Sequence, residues 1–452
     1  MINDNARPWW ILMAASSVLG LVVLDETVVG VALPTMRTDL AMTEVGSHWI
    51  ANAYLLAFTC FLALGGKLGD LWGRGRVFPV GAGIFLLASL LAALAPSGGW
   101  LIAARGLQGI GAAITFPASM AIVTQAFPPE RRGTAFGVQT TIAGCFMAAG
   151  PFVGGAFSES LSWRWIFGIN VPIVAVTAGI LTAALAASPS AGRAGAAGGR
   201  FDYGGLAALV AGLTGVTVGL MQSTDWGWTS PVVIISLVAG VVFVLVFVAI
   251  ELGRANPLVE LDLLTIPAFT GGNIVFAMFQ FEKMIVFIFL ALFLQHDLGR
   301  SPVEAGLVVS VAIVPTLVTS RLAGKVRDRH GARVPLTVTL VATAVIVVLI
   351  GLGTVLRSEV LIVAVLVVWG AIMPFIAVTA RPALMGAVPA EKQGQASGVN
   401  LSIQMLGGTV AIAIASPLLI LTGAYWPIFL MTGACTLVAA VAAWRLIDRP
   451  TA

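Results

Sequence analysis

The segment GGKLGDLWGRGR, residues 65–76, returns in altered form as GKVRDRHGAR at residues 324–333, and each copy lies between long apolar runs. The shared positions are Gly66, Asp70, Gly73 and Arg76 in the first copy and Gly324, Asp328, Gly331 and Arg333 in the second. The Gly–Asp–Gly spacing is identical in both copies. A charged segment that occurs once in each half of an apolar chain indicates an internal duplication, in which two helical halves move against each other.

The composition is that of a polytopic membrane protein. Of the 452 residues, 59% are hydrophobic and only 10% are charged, and the mean hydropathy is +1.01, whereas soluble domains carry about 25% charged residues. The first apolar run is too long for the core of a signal peptide, so we expect it to stay as the first span. The three cysteines lie in apolar runs, which argues against a disulfide framework or a metal site.

Windows of about 20 apolar residues, the length that crosses a bilayer, predict an all-α chain with fourteen spans. The first six and the last six spans form two halves, and the two spans between them have no counterpart in the repeat. The predicted domains are a six-helix bundle at residues 1–187, a cytoplasmic linker at 188–202, two inserted transmembrane helices at 203–250, a second cytoplasmic linker at 251–267 and a six-helix bundle at 268–452.

The basic residues predict the orientation, because cytoplasmic loops carry an excess of Lys and Arg. With both termini inside, eighteen of the 24 Lys and Arg residues are cytoplasmic. The other six are Arg37, Arg164, Arg300 and Arg357 in outer loops and Arg105 and Lys283 within spans. Both termini and both copies of the charged segment are therefore predicted to be cytoplasmic. Since the basic residues are dispersed over short loops, the pI of about 9.2 does not indicate nucleic-acid binding.

Two acidic residues, Asp25 and Glu26, lie in the outer half of the first span. A carboxyl group there is costly when it is ionised. A carboxyl that takes up a proton at one face and releases it at the other is the simplest proton carrier. Adjacent helical residues point about 100° apart, so the two acids need not share a face. The alternative for Asp25 is an ion pair at the outer rim with Arg37 or Arg164.

Arg105 lies a few residues into the fourth span, where an arginine is costly and usually faces a cavity or a partner. Gln108 is three residues further on and shares its helix face. The alternative is that Arg105 lies near the outer interface and extends to the lipid headgroups.

The ninth span contains FQFEKMIVF, residues 279–287, with Gln280, Glu282 and Lys283. Glu282 is a candidate for a second protonation site or a substrate contact, and Lys283 for neutralising a carboxyl or selecting an anionic group. The alternative is a structural ion pair. Because adjacent helical residues face apart, each is expected to have a different partner.

Further polar residues recur at helical spacing. Asn273 and Gln280 are seven residues apart on the ninth span, and Asn400 and Gln404 are four apart on the thirteenth. Such side chains can bind a substrate or join two helices, and we favour the joining of helices for the thirteenth span.

The spans offer neither a phosphate-binding loop nor a catalytic constellation, so we predict a protein that is not an enzyme and has no cofactor. Energy would then come from an ion gradient. A proton is favoured over sodium, because the spans offer lone carboxyls and not clustered oxygen ligands.

The charged segment can act as a clasp. Asp70 can cap a following helix or pair with an arginine, and Gly66 and Gly73 permit close approach and a tight turn. The alternative is that its basic residues, Lys67, Arg74 and Arg76, only set the topology.

On these motifs the chain resembles the major facilitator superfamily, and more narrowly its 14-span drug:H⁺ antiporter branch. Residues 66–76 resemble the signature loop, although Leu71 stands where an arginine is usual; the second copy keeps Arg329 there. RGLQGIGAA, residues 105–113, resembles the motif that the family associates with proton coupling. GPFVGG, residues 150–155, resembles the motif that marks exporters.

Two further segments resemble the signatures of the 14-span branch, LDETVVGVALP at residues 24–34 and WRWIFGINVP at residues 163–172. In the exporter motif Pro151 is expected to kink the fifth span, and Gly150, Gly154 and Gly155 to let another helix pack closely. We predict that this motif is a hinge and seal between the two bundles.

The resemblance implies a proton-coupled antiporter that exports lipophilic drugs, antibiotics or cationic dyes across the bacterial cytoplasmic membrane by alternating access. The candidate proton-coupling residues are Asp25, Glu26, Arg105 and Glu282, and the candidate substrate contacts are Gln108, Asn273, Gln280, Glu282, Lys283, Asn400 and Gln404. The candidate gating residues are Gly66, Asp70, Gly73, Arg74, Arg76, Gly324, Asp328, Arg329, Gly331, Arg333, Gly150, Pro151, Gly154 and Gly155.

The expected partners are a lipophilic small-molecule substrate, protons and membrane lipids, without nucleic acid. A monomer is expected, since one chain contains both bundles. Two other functions remain open at this point. One is a nutrient or metabolite facilitator or importer of the same fold. The other is a lipid-handling or scaffolding protein in which the buried charges are structural.

Overall fold

The computed structural model describes residues 7–127, 129–186, 202–254, 257–389 and 392–447, and all regular secondary structure within these ranges is helical. Helices suit lipid, because each satisfies its own backbone hydrogen bonds. The chain divides into two compact units, Met1–Leu206 and Ala207–Ala452.

The helices of the first unit follow one another with short connections. They are α1 (Arg7–Asp39), α2 (Glu44–Trp72), α3 (Arg74–Ala93), α4 (Gly98–Ala126), α5 (Pro129–Ser160), α6 (Trp165–Gly168) and α7 (Asn170–Ala186).

The second unit has a first helix that begins at Tyr203, a few residues before the boundary between the two units. Its elements are α8 (Tyr203–Trp226), α9 (Pro231–Leu252), a 3₁₀ turn (Leu261–Thr265), α10 (Pro267–Met284), a π-helical segment (Ile285–Leu290), α11 (Ala291–His296), α12 (Pro302–Ser310), α13 (Ile313–His330), α14 (Arg333–Val355), α15 (Glu359–Gly386), α16 (Gln393–Thr422) and α17 (Trp426–Leu446).

Serine side chains cap the start of several helices. The hydroxyls of Ser97, Ser301 and Ser358 each accept a hydrogen bond from a backbone N–H in the first turn of the helix that follows. Ser301 and Glu304 form a complete capping box, with Pro302 in the first turn of α12. These contacts satisfy amides that have no partner within the helix.

The two units share a pattern of helix contacts. In the first unit α1 contacts α4, α5 and α7, and α4 also contacts α2 and α3. In the second unit α10 contacts α15, α16 and α17, and α15 also contacts α13 and α14. The α3–α7 contact corresponds to α14–α17. Therefore α1 corresponds to α10, and α4 corresponds to α15.

Within the described ranges, 12 helices are long and apolar enough to cross a membrane. Two of the fourteen predicted spans are not among these 12. The sixth is divided at Ile169 into α6 and α7, and Trp165–Leu181 is a shorter apolar helix. The tenth is divided into α12 and α13 at residues 311–312, and α13 ends in a run of basic residues.

The α8–α9 pair, which the repeat does not include, packs through glycines. A Cβ on Gly215 would lie 2.9 Å from the Cα of Gly240, and one on Gly219 would lie 2.6 Å from Cγ of Leu237. Small residues at such a contact let two backbones approach closely in lipid.

Candidate functional site

A cluster of buried polar side chains lies inside the first unit, around Asp25 of α1. Asp25 is 0% exposed, and Arg105 of α4 is 1% exposed. The Arg105 Nη1 donates to Oδ2 of Asp25 and to Oε1 of Gln108, the latter at 2.6 Å. Gln108 Nε2 in turn donates to Oδ1 of Asp25 at 3.2 Å. Both carboxylate oxygens are thus hydrogen-bonded, and the guanidinium balances their charge.

Residues from three other helices enclose this ion pair. Arg105 Nε donates to the carbonyl oxygen of Ile50 at 2.9 Å, and Gln108 Nε2 donates to Oγ of Ser89 at 2.9 Å. The Arg105 guanidinium lies over the rings of Tyr54, at 4.4 Å, and Phe167, at 5.5 Å. These aromatic faces stabilise the cation and keep water away from it.

The structure agrees neither with an ion pair of Asp25 at the outer rim nor with an Arg105 that extends to the headgroups. Arg37 pairs with Glu44 at 3.8 Å, and Arg164 pairs with Asp39 at 2.7 Å, so neither is the partner of Asp25. Arg105 is buried and does not extend to the headgroup region. The spacing of Arg105 and Gln108 correctly predicted that they share a face. Glu26, beside Asp25, is also buried at 6% exposure.

The exporter-type motif of α5 packs against α1 next to Asp25. A Cβ on Gly150 would overlap Oγ1 of Thr27, and one on Gly154 would overlap the carbonyl oxygen of Val28. Thr27 Oγ1 also contacts the carbonyl oxygen of Met147 at 3.4 Å. The contact joins two helices of one unit. Pro151 lies inside α5 between these glycines, and the role of Gly150, Pro151, Gly154 and Gly155 as a hinge stays a prediction.

A second buried carboxyl lies in the second unit, at Glu282 of α10. It is 2% exposed, and its Oε1 accepts the indole N–H of Trp369 on α15. The Trp369 ring also contacts Phe287 edge to face, with the centroids 6.2 Å apart. Lys283, the next residue on α10, is buried as well. The π-helical segment begins directly after α10, and such segments are frequent at functional sites.

The polar residues of α10 and α16 meet across one helix contact. Asn400 Nδ2 donates to Oδ1 of Asn273 at 3.1 Å, and Gln280 Nε2 lies 3.9 Å from the Met405 sulfur. Gln404 is also buried. For Asn273 and Asn400 the structure agrees with helix joining. Their predicted contacts with a substrate, like those of Gln280 and Gln404, stay predictions.

The repeated charged segments are mostly helical and not loops. Each reverses at a single glycine, Gly73 with φ of 84° and Gly331 with φ of 71°, a backbone that favours glycine. Gly66 and Gly324 lie inside α2 and α13, and a Cβ there would meet nothing within 4 Å. No described atom approaches Gly66, and a close approach at this glycine stays a prediction.

The charges of these segments have varied surroundings. Asp328 pairs with its neighbour Arg327 at 3.9 Å. The Arg333 guanidinium lies 4.1 Å from the ring centroid of Trp444. The side chain of Asp70 lies outside the described part of the chain. Arg74, Arg76 and Arg329 occupy helix ends, with Arg76 and Arg329 exposed. The clasp stays a prediction for all of them.

Sequence reasoning missed several members of these clusters. Tyr54, Ser89 and Trp369 lie in apolar runs, where nothing in the local pattern distinguishes them from core residues. Phe167 lies within residues 163–172, a motif that was recognised without a role for that ring.

Three comparisons place the chain among known proteins. The family model of the Major Facilitator Superfamily matches residues 15–202 and 272–452. The puromycin resistance protein pur8 of Streptomyces alboniger is 34% identical over 363 residues, which are 79% of this chain and 69% of that protein. The cephamycin export protein CmcT of Amycolatopsis lactamdurans is 38% identical over 320 residues, 68% of this chain and 65% of that protein. The crystal structure of a D-xylose–proton symporter superposes with a TM-score of 0.69 at 14% identity, covering 97% of this chain and 98% of the symporter; it supports the fold alone.

Proposed function

Since the chain belongs to the major facilitator superfamily, we propose that it exports lipophilic small molecules, such as drugs and antibiotics, in exchange for protons. It is a multi-pass protein of the bacterial cytoplasmic membrane. Relatives named for puromycin resistance and cephamycin export support efflux as the direction of transport.

The observation that carries the proton coupling is the buried Asp25–Arg105 pair. A proton on Oδ2 of Asp25 would remove the acceptor of the Arg105 Nη1 bond and leave the guanidinium without its counter-charge. Protonation therefore weakens the link between α1 and α4, and loss of the proton restores it. A carboxyl whose protonation breaks a helix contact can couple a proton to a conformational change.

The packing of α1 offers a way for that change to spread. Thr27 lies two residues after Asp25 and contacts α5 at the glycines of the exporter-type motif. A Cβ would not fit at Gly150 against the Thr27 side chain or at Gly154 against the Val28 carbonyl oxygen, so α1 and α5 are in close contact and a shift of α1 would be passed to α5. We assign Glu26 and Gln108 a supporting role beside Asp25, and the polar residues of α10 and α16 a role in substrate binding.

The finer topology belongs to the same proposal: fourteen spans, with both termini in the cytoplasm. The distribution of Lys and Arg supports the orientation. The family model leaves residues 203–271 unmatched, the region of α8 and α9, which favours two helices added to a twelve-helix fold. The chain acts as a monomer with the proton gradient as its energy source.

The test uses the purified full-length protein in liposomes with a pH-sensitive dye inside. Puromycin and a cephamycin serve as export probes, and D-xylose serves as the nutrient probe. We expect puromycin or the cephamycin to evoke proton movement in the wild type, and Asp25→Asn to abolish it. Asp39→Asn is the matched control, because Asp39 is on the same helix but exposed, and its amide keeps an acceptor for Trp163.

Proton movement that persists in Asp25→Asn would contradict the assignment of Asp25. No response to either drug, together with drug binding that does not depend on pH, would refute the antiporter. Uptake of D-xylose under those conditions would favour the nutrient facilitator.

A further inference from the structure

In each unit a buried carboxyl on the first repeated helix is bound by a side chain of the fourth. In the first unit Asp25 of α1 is bound by Arg105 and Gln108 of α4, and in the second Glu282 of α10 is bound by Trp369 of α15. Gln108 and Trp369 occupy the same place, since each follows the first residue of its helix by ten positions. The two carboxyls therefore lie on corresponding helices and are bound from corresponding positions of α4 and α15.

The side chains that donate hydrogen bonds to the two carboxyls differ in charge. Counted from the start of each helix, the position of Arg105 in α4 is taken by Leu366 in α15, which is fully buried. The duplicated site has thus kept a neutral hydrogen-bond donor and has a leucine in place of the cation. One indole N–H provides a single hydrogen bond and no positive charge.

The charged groups on the elements packed against α10 do not replace that cation. On α15, Glu359 at the first residue of the helix pairs with Arg300, and the Arg381 guanidinium lies over the ring of Phe276. Arg445 of α17 and Asp262 of the 3₁₀ turn are exposed. The α16 helix and the π-helical segment contain no charged residue. Lys283 is adjacent on α10 and makes an interaction of its own. Among the described residues, the side chain that binds the Glu282 carboxyl is the indole of Trp369, which is not a cation.

A buried carboxylate without a counter-charge is energetically costly, and a carboxyl avoids most of that cost by binding a proton. Asp25, in contrast, is paired with a buried cation. A neutral Asp25 would leave the Arg105 guanidinium without its counter-charge. The same conformation therefore favours a charged Asp25 and a neutral Glu282.

We propose that Glu282 carries a second proton, bound while Asp25 is ionised, and that Trp369 is its positioning residue. The carboxylate takes the proton from hydronium, which leaves water, and returns it to water when the carboxyl becomes hydrated on the other side. The role of this proton in export depends on the function proposed above, whereas its presence on Glu282 does not.

The direct test is infrared spectroscopy of the purified full-length protein at neutral pH. We expect a C=O stretch of a protonated carboxylic acid that Glu282→Gln removes and that Asp25→Asn leaves in place. Glu304→Gln is the matched control, an exposed acid of the same unit whose amide keeps the helix cap. Without a difference between wild type and Glu282→Gln in this band, the proposal is overturned.

Trp369→Phe tests the positioning role and serves if Glu282→Gln does not fold. It keeps an aromatic ring against Phe287 and removes only the N–H donor. Since a hydrogen bond weakens a C=O bond, we expect the Glu282 band to move to higher frequency in Trp369→Phe. An unmoved band would refute the role of Trp369.

Transport measures whether the second proton is coupled. With the membrane potential clamped at zero, two coupled protons change the limiting substrate ratio about a hundredfold per unit of pH gradient, and one proton about tenfold. We expect the limiting substrate ratio to change about a hundredfold per unit of pH gradient in the wild type and about tenfold in Glu282→Gln. The same change in both proteins would show that the proton on Glu282 is not coupled. If the wild type shows no pH-driven export at all, the proposed function fails, while the infrared result still decides the protonation of Glu282.

Discussion

Removing the cation of the buried pair should destabilise the first unit strongly. Arg105→Leu deletes the bonds to Asp25, to Gln108 at 2.6 Å and to the Ile50 carbonyl at 2.9 Å, and leaves Asp25 with its Gln108 contact. Breaking a buried pair from one side costs about 3–5 kcal/mol. Exposed pairs contribute about 0.2–1 kcal/mol. Arg164→Leu, which breaks an exposed pair with Asp39, is therefore the matched control.

The double variant Asp25→Leu/Arg105→Leu separates the pair from the volume change. Because it leaves no buried charge behind, its cost should be smaller than the sum of the two single variants by about 2–3 kcal/mol. The free energy of unfolding would be measured in mixed micelles by titration with denaturing detergent and followed by circular dichroism. The reasoning is refuted if the single costs simply add, or if Arg105→Leu costs no more than Arg164→Leu.

Three further predictions concern glycines and an amide. Gly150→Ala should cost about 1–3 kcal/mol by overpacking, whereas Gly144→Ala on the same helix, where a Cβ meets nothing within 4 Å, should not destabilise; thermal unfolding of both variants checks this. Gly73→Ala should cost about 1 kcal/mol or more, because its φ of 84° disfavours a side chain, while Gly66→Ala should unfold like the wild type; a stable Gly66→Ala that loses transport would instead reveal a role in gating. Asn400→Leu should cost only about 0.6 kcal/mol, the mean for hydrogen bonds between membrane helices; a complete loss of drug binding in this variant would show a substrate contact and contradict helix joining.

The helical class and the duplication follow from local pattern. Apolar runs of span length can satisfy their backbone in lipid only as helices or closed barrels, and a run of about 20 residues indicates a helix. Turn positions such as Gly73 and Gly331 were also predictable, because the two copies of the charged segment keep them in register. Local pattern did not reveal the helix breaks at Ile169 in the sixth predicted span and at residues 311–312 in the tenth, since a break inside an apolar run leaves little trace in hydropathy.

Helical spacing also correctly placed Arg105 and Gln108 on one face, because the period of a helix relates residues within the same element. The partner across the contact was not predictable in this way. Asp25 and Arg105 are separated by 80 residues, and Glu282 and Trp369 by 87. In lipid an apolar face can contact a tail or another helix at similar cost, so hydropathy does not specify which helices meet.

The sequence alone therefore determined that this is a duplicated, helical membrane protein with costly charges in its spans, because composition and period record the solvent and the local fold. Only the tertiary structure decided that Asp25 is bound by a cation and Glu282 by an indole. Which charge compensates which carboxyl depends on the crossing of distant helices, and the shape of whole side chains sets that crossing through close packing.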